Sequence, residues 1–406
     1  MRIVFVHPNY PAQFGHVAQQ LSARHGDQCW FVTHRGSGQD GPVERIGYQI
    51  GGGARAENHY CSRSFENYVW HSHGVYEALK ARPDIQPDLV VGHSGFGSTV
   101  FLRELYACPI INYFEFYYHA HGSDLDYRPE FPPTELDVLR TYTRDAMLLL
   151  DLETCTAGYC PTEYQRSLFP PVYQPKLSCI FDGLDPQFWR RLSAAELGPR
   201  QVAGQTIGDD QKIVTYVSRG FESMRGFDIF MQIAGRMAQE RDDVVFVCVG
   251  TDRVAYGGDL RYVEAKSFRE HVLSQSNYPL ERFIFTGRVA PQELVRIFSL
   301  SDLHIYLTVP FVLSWSLMNA LSCECTVVAS DTPPVQEMIT HGENGLLADF
   351  FDVDRLTELA LDVLAAPQNF SQLGPAGRQR IEDRYSTERV LPHLRAFYEQ
   401  VAAAAE

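Results

Sequence analysis

The sequence contains no apolar run long enough to cross a bilayer, which takes about 20 residues in a helix. Its first residues, MRIVFVHPNYP, form a short apolar run without the cleavage pattern of a secretory signal. These absences predict a soluble, cytoplasmic protein, and peripheral association is the only membrane contact they leave open.

Positive charge is also scarce. The chain has 35 Lys and Arg against 50 Asp and Glu, a formal net charge of −15. Because nonspecific nucleic-acid binding needs a basic surface, this balance argues against a nucleic-acid partner. An anionic ligand would need a local basic pocket.

Cysteine spacing typical of metal sites is absent. The nine cysteines include no CxxC, and their odd number in a chain without a secretion signal predicts reduced thiols. The close pairs Cys323 and Cys325, His71 and His73, and His119 and His121 are better explained as core or surface residues. We therefore predict no metal site.

What the sequence does contain is enough apolar material for two domains. With 406 residues, the chain is longer than a domain with a single hydrophobic core usually is. Its content of 45% apolar and 12% aromatic residues is typical of a globular protein. Repeated strand, loop and helix patterns predict an α/β fold of two Rossmann-like, doubly wound domains. We expect domains at 1–185 and 186–385 and a last helix at 386–406; the oligomeric state is left open.

Ligand-binding loops are predicted where strands of the first half end. The strand Arg2–His7 leads into a loop and a helix from Gly15 to His25, and the strand at 88–92 leads into GHSGFG. The latter misses the G-x-S-x-G spacing of a hydrolase nucleophile elbow by one residue, so a tight turn is the better interpretation. The polar, aromatic segment Glu115–Pro133 is predicted to be a long functional loop.

Basic residues follow the first strand of the second half. Arg219 and Arg225 stand between the strand Lys212–Val217 and the next helix, where two guanidinium groups can hold a pyrophosphate. The alternative is two solvated surface arginines.

The stretch Tyr306–Glu337 repeats the pattern of strand, loop and helix. Ser314 or Ser316 can cap the helix that carries Asn319, and the N-terminus of a helix attracts anions. An ordinary βαβ unit without a ligand is the alternative.

This stretch resembles the donor-site signature of the retaining glycosyltransferases of family 4, which have the GT-B fold. The resemblance rests on the segments Leu317–Ser322 and Val327–Asp331 and on Glu337. Phe311 and Asn319 stand where the signature has glutamates that contact the transferred sugar and the donor ribose.

The resemblance implies two domains facing a cleft, with the sugar donor on the second. Arg219 and Arg225 would hold the donor diphosphate, and the remaining donor-binding residues would be Gly250, Thr251, Gly287, Arg288, Ser314, Trp315, Ser316 and Asn319. The residues expected on the acceptor side are Gly15, His16, His93, Glu115, His119 and Asp124. Glu115, His119, Arg219 and Arg225 would be catalytic.

The implied reaction is transfer of a sugar, with retention, from a nucleoside-diphosphate sugar to a glycan, lipid-linked or small-molecule acceptor. The leaving phosphate would take the acceptor proton, so no strong general base is expected. No DxD-type pair occupies either proposed donor loop, and the arginines and the helix terminus supply positive charge, so no metal is expected. No separate cofactor is expected either. A catalytically silent binding protein and a nucleotide-sugar epimerase are the alternatives.

Overall fold

The chain folds into two compact units in a computed structural model that describes residues 1–97 and 99–404. Unit 1 comprises Met1–Leu125, Pro133–Gly183 and Glu388–Glu406, and unit 2 comprises Asp126–Pro132 and Leu184–Thr387. The predicted boundary at residue 185 had placed 126–132 in the first domain. This short segment belongs to unit 2 because Arg128 pairs with both carboxylate oxygens of Asp228, at 3.2 and 2.6 Å.

Unit 1 is built on an eight-stranded sheet with the order β3-β4-β2-β1-β5-β6-β7-β8, parallel except for the β3–β4 pair. Its strands and helices are β1 Arg2–Val6, α1 Gly15–His25, β2 Gln28–Thr33, β3 Gly38–Asp40, β4 Val43–Gly47, α2 Arg63–Lys80, β5 Leu89–His93, β6 Ile110–Tyr113, α3 Glu135–Thr154, β7 Ala157–Cys160, α4 Glu163–Ser167 and β8 Leu177–Cys179. The strand order reverses between β1 and β5. In such sheets, ligands bind beyond the carboxyl ends of the strands at this reversal.

Unit 2 is built on a six-stranded parallel sheet with the order β13-β12-β11-β14-β15-β16. Its elements are α5 Ala194–Leu197, β9 Gln201–Val202, β10 Gln205–Thr206, β11 Lys212–Gly220, α6 Phe227–Glu240, β12 Val244–Thr251, α7 Phe268–Ser274, β13 Phe283–Gly287, α8 Pro291–Leu300, β14 Leu303–Tyr306, α9 Trp315–Ser322, β15 Val327–Ser330, α10 Pro333–Gln336, β16 Leu346–Ala348, α11 Val353–Ala365 and α12 Leu373–Arg380. Here the strand order reverses between β11 and β14.

Short 3-10 turns and one π-helix complete the secondary structure. They are Tyr60–Ser62, Leu102–Glu104, Gln174–Lys176, Ser223–Arg225, Asp259–Arg261, Leu280–Arg282, Pro367–Phe370 and the π-helix Ile381–Tyr385.

The last helix, α13 Thr387–Ala403, packs into the core of unit 1. Leu391, Leu394 and Tyr398 are buried there, and the Tyr398 hydroxyl lies 3.3 Å from that of Tyr159. Arg395 Nε lies 3.5 Å from Asp27 Oδ2. Residues from the two ends of unit 1 therefore share one core.

Two stretches differ from the sequence-based predictions. The glycine-rich sequence at 35–56 indicates irregular structure, but this segment contains β3 and β4, and β4 extends the sheet through β2. The cause is the burial of Val43 and Ile46, a pattern too short to stand out in the sequence. The proline and glycine residues at 182–211 indicate an interdomain linker, but part of this stretch forms α5 and the β9–β10 hairpin. No helix in the described ranges is long and apolar enough to span a membrane.

Candidate functional site

In unit 2, Arg225 lies beside the reversal between β11 and β14. Its buried guanidinium donates to Thr308 Oγ1 at 2.6 Å and to the Val312 carbonyl at 3.1 Å. The next residue, Gly226, has a φ of 61°, and a Cβ there would lie 2.8 Å from the Cβ of Leu307. Glycine thus allows the turn that carries Arg225 to approach the loop after β14.

Arg219 is exposed, and it approaches the same aromatic ring as Arg225. The Tyr256 ring centre lies 6.0 Å from Arg219 Cζ and 5.2 Å from Arg225 Cζ. The ring of Phe311 is 5.5 Å from that of Tyr256 and 5.8 Å from Arg225 Cζ. The two predicted phosphate ligands therefore lie near one aromatic pair, of which the sequence analysis missed Tyr256.

A buried carboxyl group, also missed, fixes the loop that carries Tyr256. Glu222 Oε2 accepts hydrogen bonds from the backbone N–H groups of Ala255, Tyr256 and Gly257, at 2.8, 2.8 and 3.1 Å. Asp259 accepts from the backbone N–H of Ser223 at 3.0 Å and from its hydroxyl. Burial raises the pKa of both carboxyls. The turn Ser223–Arg225 and this loop are thus tied together.

The N-terminus of α9 lies on the neighbouring loop and is capped by Ser314. Ser314 Oγ accepts from the Ser316 N–H at 3.2 Å, and the Ser314 N–H donates to the Tyr306 hydroxyl at 3.1 Å. Of the two predicted caps, the structure selects Ser314, and Ser316 contacts it through its hydroxyl at 2.8 Å. Trp315, the first residue of the helix, is partly exposed.

Asn319 lies one turn into α9 and is only 5% exposed. Its Oδ1 has no hydrogen-bond partner within residues 1–97 and 99–404. A buried, unsatisfied polar atom destabilises a fold by about 1–3 kcal/mol, so such atoms are uncommon unless a ligand supplies the partner.

The residues predicted around the nucleotide base lie at the ends of β12 and β13. Thr251 Oγ1 donates to the Arg219 carbonyl at 2.8 Å. A Cβ at Gly250 would lie 2.7 Å from the Ser218 carbonyl oxygen, so this glycine serves a close backbone approach. Gly287 ends β13, and Arg288 after it is exposed.

In unit 1, two histidines lie at the reversal between β1 and β5. His7 follows β1 and His93 ends β5, and their ring centres are 5.0 Å apart. His93 Nδ1 lies 2.8 Å from the Ser94 carbonyl and therefore donates, which leaves a lone pair on Nε2. Nε2 is 3.9 Å from Glu115 Oε2 and has no hydrogen-bond partner in the described part of the chain. Burial lowers the pKa of His93 well below its ordinary value, so the ring is neutral.

Two adjoining cavities contain most of the predicted acceptor-side residues. The larger cavity, of ≈ 290 Å³, is lined by side chains that include Tyr68, His71, His93, Glu115, Tyr118 and Arg144. The smaller cavity, of ≈ 60 Å³, is lined by Tyr118, His119, Asp124, Leu125, Asp137, Arg140, Thr141 and Arg144. Sequence reasoning had singled out His93, Glu115, His119 and Asp124 but missed Tyr118 and Arg144, which line both cavities.

Gly15 and His16, also predicted on the acceptor side, line neither cavity. A Cβ at Gly15 would lie 2.3 Å from Pro11 Cβ, so the glycine serves packing at the start of α1. His16 Nε2 lies 2.8 Å from the Asp182 carbonyl. His119 is exposed and its Nε2 lies 2.9 Å from the Leu168 carbonyl.

Two buried carboxyls stand behind the larger cavity. Asp151 accepts from the hydroxyls of Tyr68 and Ser94, at 3.0 and 2.8 Å, and burial raises its pKa to about 6. Asp145 accepts from the Tyr118 N–H at 3.0 Å, and burial raises its pKa to about 7. Since the Ser94 hydroxyl donates to Asp151, the GHSGFG turn offers no serine paired with a histidine base. Within the described residues, no group of His, Cys, Asp and Glu is placed to hold a metal ion.

Family models match both halves of the chain. Residues 25–188 match the glycosyl transferase family 4 group, and residues 199–380 match the glycosyl transferases group 1. Together the two matches identify a family 4-like glycosyltransferase. The stretch Tyr306–Glu337, which resembles the donor-site signature, lies within the second match.

Curated relatives of this glycosyltransferase are distant. Alpha-maltose-1-phosphate synthase of Mycolicibacterium smegmatis is 24% identical over 244 residues, covering 58% of this chain and 59% of that protein. Alpha-galactosylglucosyldiacylglycerol synthase of Streptococcus pneumoniae is 24% identical over 232 residues, covering 57% of each. The chain thus spans less than two thirds of the length of these relatives.

Solved structures show that the glycosyltransferase has the GT-B fold, as predicted. Sucrose-phosphate synthase from Thermosynechococcus elongatus has a TM-score of 0.77 at 18% identity, with both chains fully covered. HepE of Anabaena in complex with UDP-glucose has a TM-score of 0.67 at 14% identity, covering 98% of this chain and 100% of that one.

Proposed function

We propose that this protein transfers a sugar, with retention, from a nucleoside-diphosphate sugar to a hydroxyl group of an acceptor. Two observations carry the proposal: the buried Arg225 in the turn after β11, and the unsatisfied Asn319 in α9, the helix that follows β14. The first supplies positive charge and the second a buried hydrogen-bond acceptor.

Arg219 and Arg225 would bind the diphosphate. Thr308 and Val312 use two of the five N–H donors of Arg225, so that its plane is fixed while other donors are available. Together with the N-terminus of α9, the two guanidinium groups would offset the charge that develops on the leaving phosphate. This charge compensation supports transfer without a metal or a separate cofactor.

Asn319 would bind the ribose of the sugar donor. A ribose hydroxyl can donate to the vacant Oδ1, which removes the penalty of the buried, unpaired atom. The glutamate of the family signature offers two acceptor oxygens at this position, whereas Asn offers one oxygen and an N–H₂ group. The contact would therefore be weaker than with glutamate.

His93 and Glu115 would orient the hydroxyl of the sugar acceptor. The neutral His93 Nε2 can accept a hydrogen bond from that hydroxyl, and Glu115 Oε2 lies 3.9 Å from His93 Nε2. The proton would pass to the leaving phosphate, as the family resemblance implies. His119 and Asp124 would contact the acceptor from the smaller cavity.

The names of similar proteins agree with a nucleotide-sugar donor. HepE of Anabaena was solved with UDP and with UDP-glucose. The curated relatives make a sugar phosphate and a glycolipid, so that glycan, lipid-linked and small-molecule acceptors all belong to the proposal.

The test is release of nucleoside diphosphate from a panel of nucleotide sugars, with and without candidate acceptors and with EDTA throughout. We expect turnover of at least one sugar donor and an α-linked product from an α-linked donor. Loss of all turnover in EDTA, restored by magnesium, would contradict the metal-free reaction.

A silent binding protein is a second candidate, because Phe311 packs beside Arg225 where the signature has a glutamate. Nucleotide-sugar binding without turnover or hydrolysis under any of these conditions would favour it.

A further inference from the structure

Arg144 is the arginine that lines the larger cavity, and no polar group of the described residues pairs with it directly. It projects from α3 and lines both cavities, and its Cζ lies 3.5 Å from the ring centre of Tyr118. Its guanidinium donates no hydrogen bond and forms no ion pair with any residue of 1–97 or 99–404. Stacking on an aromatic ring fixes the plane of a guanidinium while its N–H edge points outwards.

Arg140, one helical turn earlier on α3, shows the ordinary arrangement. It donates to Ser64 Oγ at 2.8 Å and to the Tyr60 hydroxyl at 3.3 Å, and so joins α3 to the region before and within α2. Arg140 lines only the smaller cavity. The same helix therefore carries one structural arginine and one that is oriented but unpaired.

The larger cavity has two chemically different sides. His93 and Glu115, which can accept hydrogen bonds, line the larger cavity but not the smaller one. Arg144 and Tyr118 form the wall that the two cavities share. A ligand that fills the larger cavity thus meets hydrogen-bond acceptors on one side and a cation on the other.

Burial partly neutralises two of the acids near this cation, while Asp124 and Asp137 line the smaller cavity together with Arg144. Burial raises the pKa of Asp145 to about 7 and that of Asp151 to about 6, so both carry less negative charge than ordinary aspartates near neutral pH. Glu115 lies on the side of His93. The volume of ≈ 290 Å³ is at the lower end of ligand pockets, which measure roughly 300–1,000 Å³.

We infer that the sugar acceptor is a small molecule with an acidic group, a phosphate or a carboxylate, which Arg144 binds while His93 and Glu115 orient its hydroxyl. This inference rests on the proposed function and specifies its acceptor. Arginine suits both groups, since its N–H fork matches their oxygen pairs.

The experiment compares the binding of matched compounds to the full chain by calorimetry. The probes are glucose, glucose 6-phosphate and glucuronate, and glycerol, glycerol 3-phosphate and glycerate. We expect at least one acidic compound to bind tenfold or more tightly than its neutral counterpart. Preference for the phosphates or for the carboxylates identifies the group. Absence of any such preference, including absence of binding throughout, overturns the inference.

Arg144→Met, which keeps an unbranched side chain over Tyr118, is expected to abolish the preference and change the affinity for the neutral compound by less than about twofold. Equal losses for acidic and neutral compounds would overturn the inference. Arg140→Met is the matched control: it is expected to lower the unfolding midpoint, because Arg140 joins secondary elements, and to keep the preference.

Nucleoside-diphosphate binding, measured on the same samples, separates this inference from the proposed function. Nucleotide binding without an acidic preference would overturn the inference alone. An acidic preference that depends on Arg144, in a protein that binds no nucleotide, would contradict the proposed function and leave an anion site in unit 1.

Discussion

Asn319 combines near-complete burial with an unused hydrogen-bond acceptor, and this arrangement is unfavourable for folding. A residue under no other constraint at this position of α9 would be apolar, like its buried neighbours Met318 and Ala320. The polar side chain is therefore better explained by a ligand than by packing.

Asn319→Leu tests this explanation, because Leu branches at the same side-chain carbon as Asn but is apolar. We expect the free energy of unfolding to stay constant or rise by up to about 1 kcal/mol, since an unsatisfied atom is removed. Affinity for nucleosides should fall several-fold, because a ribose contact is lost. Denaturant unfolding and calorimetry give the two quantities. A loss of stability with unchanged nucleoside affinity would mean that Asn319 is a packing residue.

Arg219→Ala separates phosphate binding from nucleoside binding. Arg219 is exposed, so its removal should change the stability of the protein little. It should weaken the binding of a nucleoside diphosphate by about 1.5–3 kcal/mol, the range for hydrogen bonds to charged groups. The bare nucleoside should bind as before. Arg225→Ala should also destabilise unit 2, because Thr308 and Val312 lose their donors. Equal weakening of both ligands by Arg219→Ala would refute the diphosphate assignment.

Asp145 should make stability depend on pH. Its pKa of about 7 in the folded chain exceeds the ordinary value of 3.8, so folding favours the protonated form. As pH rises from about 4 to 7, Asp145 loses its proton in the unfolded chain but keeps it in the folded chain. The contribution of Asp145 to the free energy of unfolding therefore falls over this pH range. The free energy of unfolding of Asp145→Asn should therefore rise relative to that of the wild type, by up to about 1.4 kcal/mol for each pH unit in that range. A difference between the two proteins that is constant with pH would show that the Asp145 pKa is ordinary.

At the scale of elements, the loop after β12 depends on one side chain. Glu222, two residues after β11, accepts hydrogen bonds from three consecutive backbone N–H groups of that loop. Tyr256 keeps its place beside Arg219 and Arg225 through this tether. Glu222, which lies outside the proposed phosphate site, thus keeps the loop beside that site in place.

Glu222→Leu should release the loop, whereas Glu222→Gln should retain it, because the amide oxygen can still accept the three N–H groups. We expect amide hydrogen exchange at Ala255, Tyr256 and Gly257 to accelerate in the Leu variant only. Diphosphate affinity should fall in parallel. Unchanged exchange in Glu222→Leu would show that other contacts hold the loop.

The sequence predicted those elements whose pattern is long or strongly apolar. The bounds of α1 agree with the predicted helix from Gly15 to His25, because it has a clear periodicity and a marked end. β4 and the helices α11 and α12 went unassigned. β4 has only Val43 and Ile46 as buried apolar residues, and α12 contains both Gly374 and Gly377, which weaken a helical pattern.

Parts of the candidate site could not be predicted, since they come from contacts between distant positions. Arg219 lies at the end of β11 and Arg225 in the turn that follows it, so their place at the end of a strand could be predicted from the sequence. Tyr256 contacts Arg219, which is 37 residues away in the sequence, and Asp151 contacts Ser94, which is 57 residues away. Arg144 lies on a helix with no local motif, and its unpaired state is visible only when all its neighbours are known.

At the scale of the whole molecule, unit 1 is assembled from three separate parts of the chain. Its core includes Leu391, Leu394 and Tyr398 of α13 beside residues of β1, β6 and β7. Substitutions in α13 should therefore act on unit 1 and leave unit 2 unaffected.

Leu394→Ala should destabilise unit 1 by about 2–5 kcal/mol, as for other truncations of buried leucines. Nucleoside-diphosphate affinity in unit 2 should not change while the protein is folded. Gln400→Ala, at an exposed position of the same helix, is the control and should have little effect. Unfolding monitored separately in the two units by hydrogen exchange gives the measurement. Equal destabilisation of both units would show that they unfold together.

The position of α13 also determines the order in which the units are completed during translation. α13 is synthesised about 200 residues after β8, a delay of roughly 10–40 s at 5–20 residues per second. Until then, the apolar side chains of Phe5 and Tyr159 lack the partner that Tyr398 provides. A ribosome-bound chaperone has its best opportunity to bind unit 1 in this interval. Although unit 1 contains the first residue of the chain, unit 2 is the first to have its full sequence outside the ribosome.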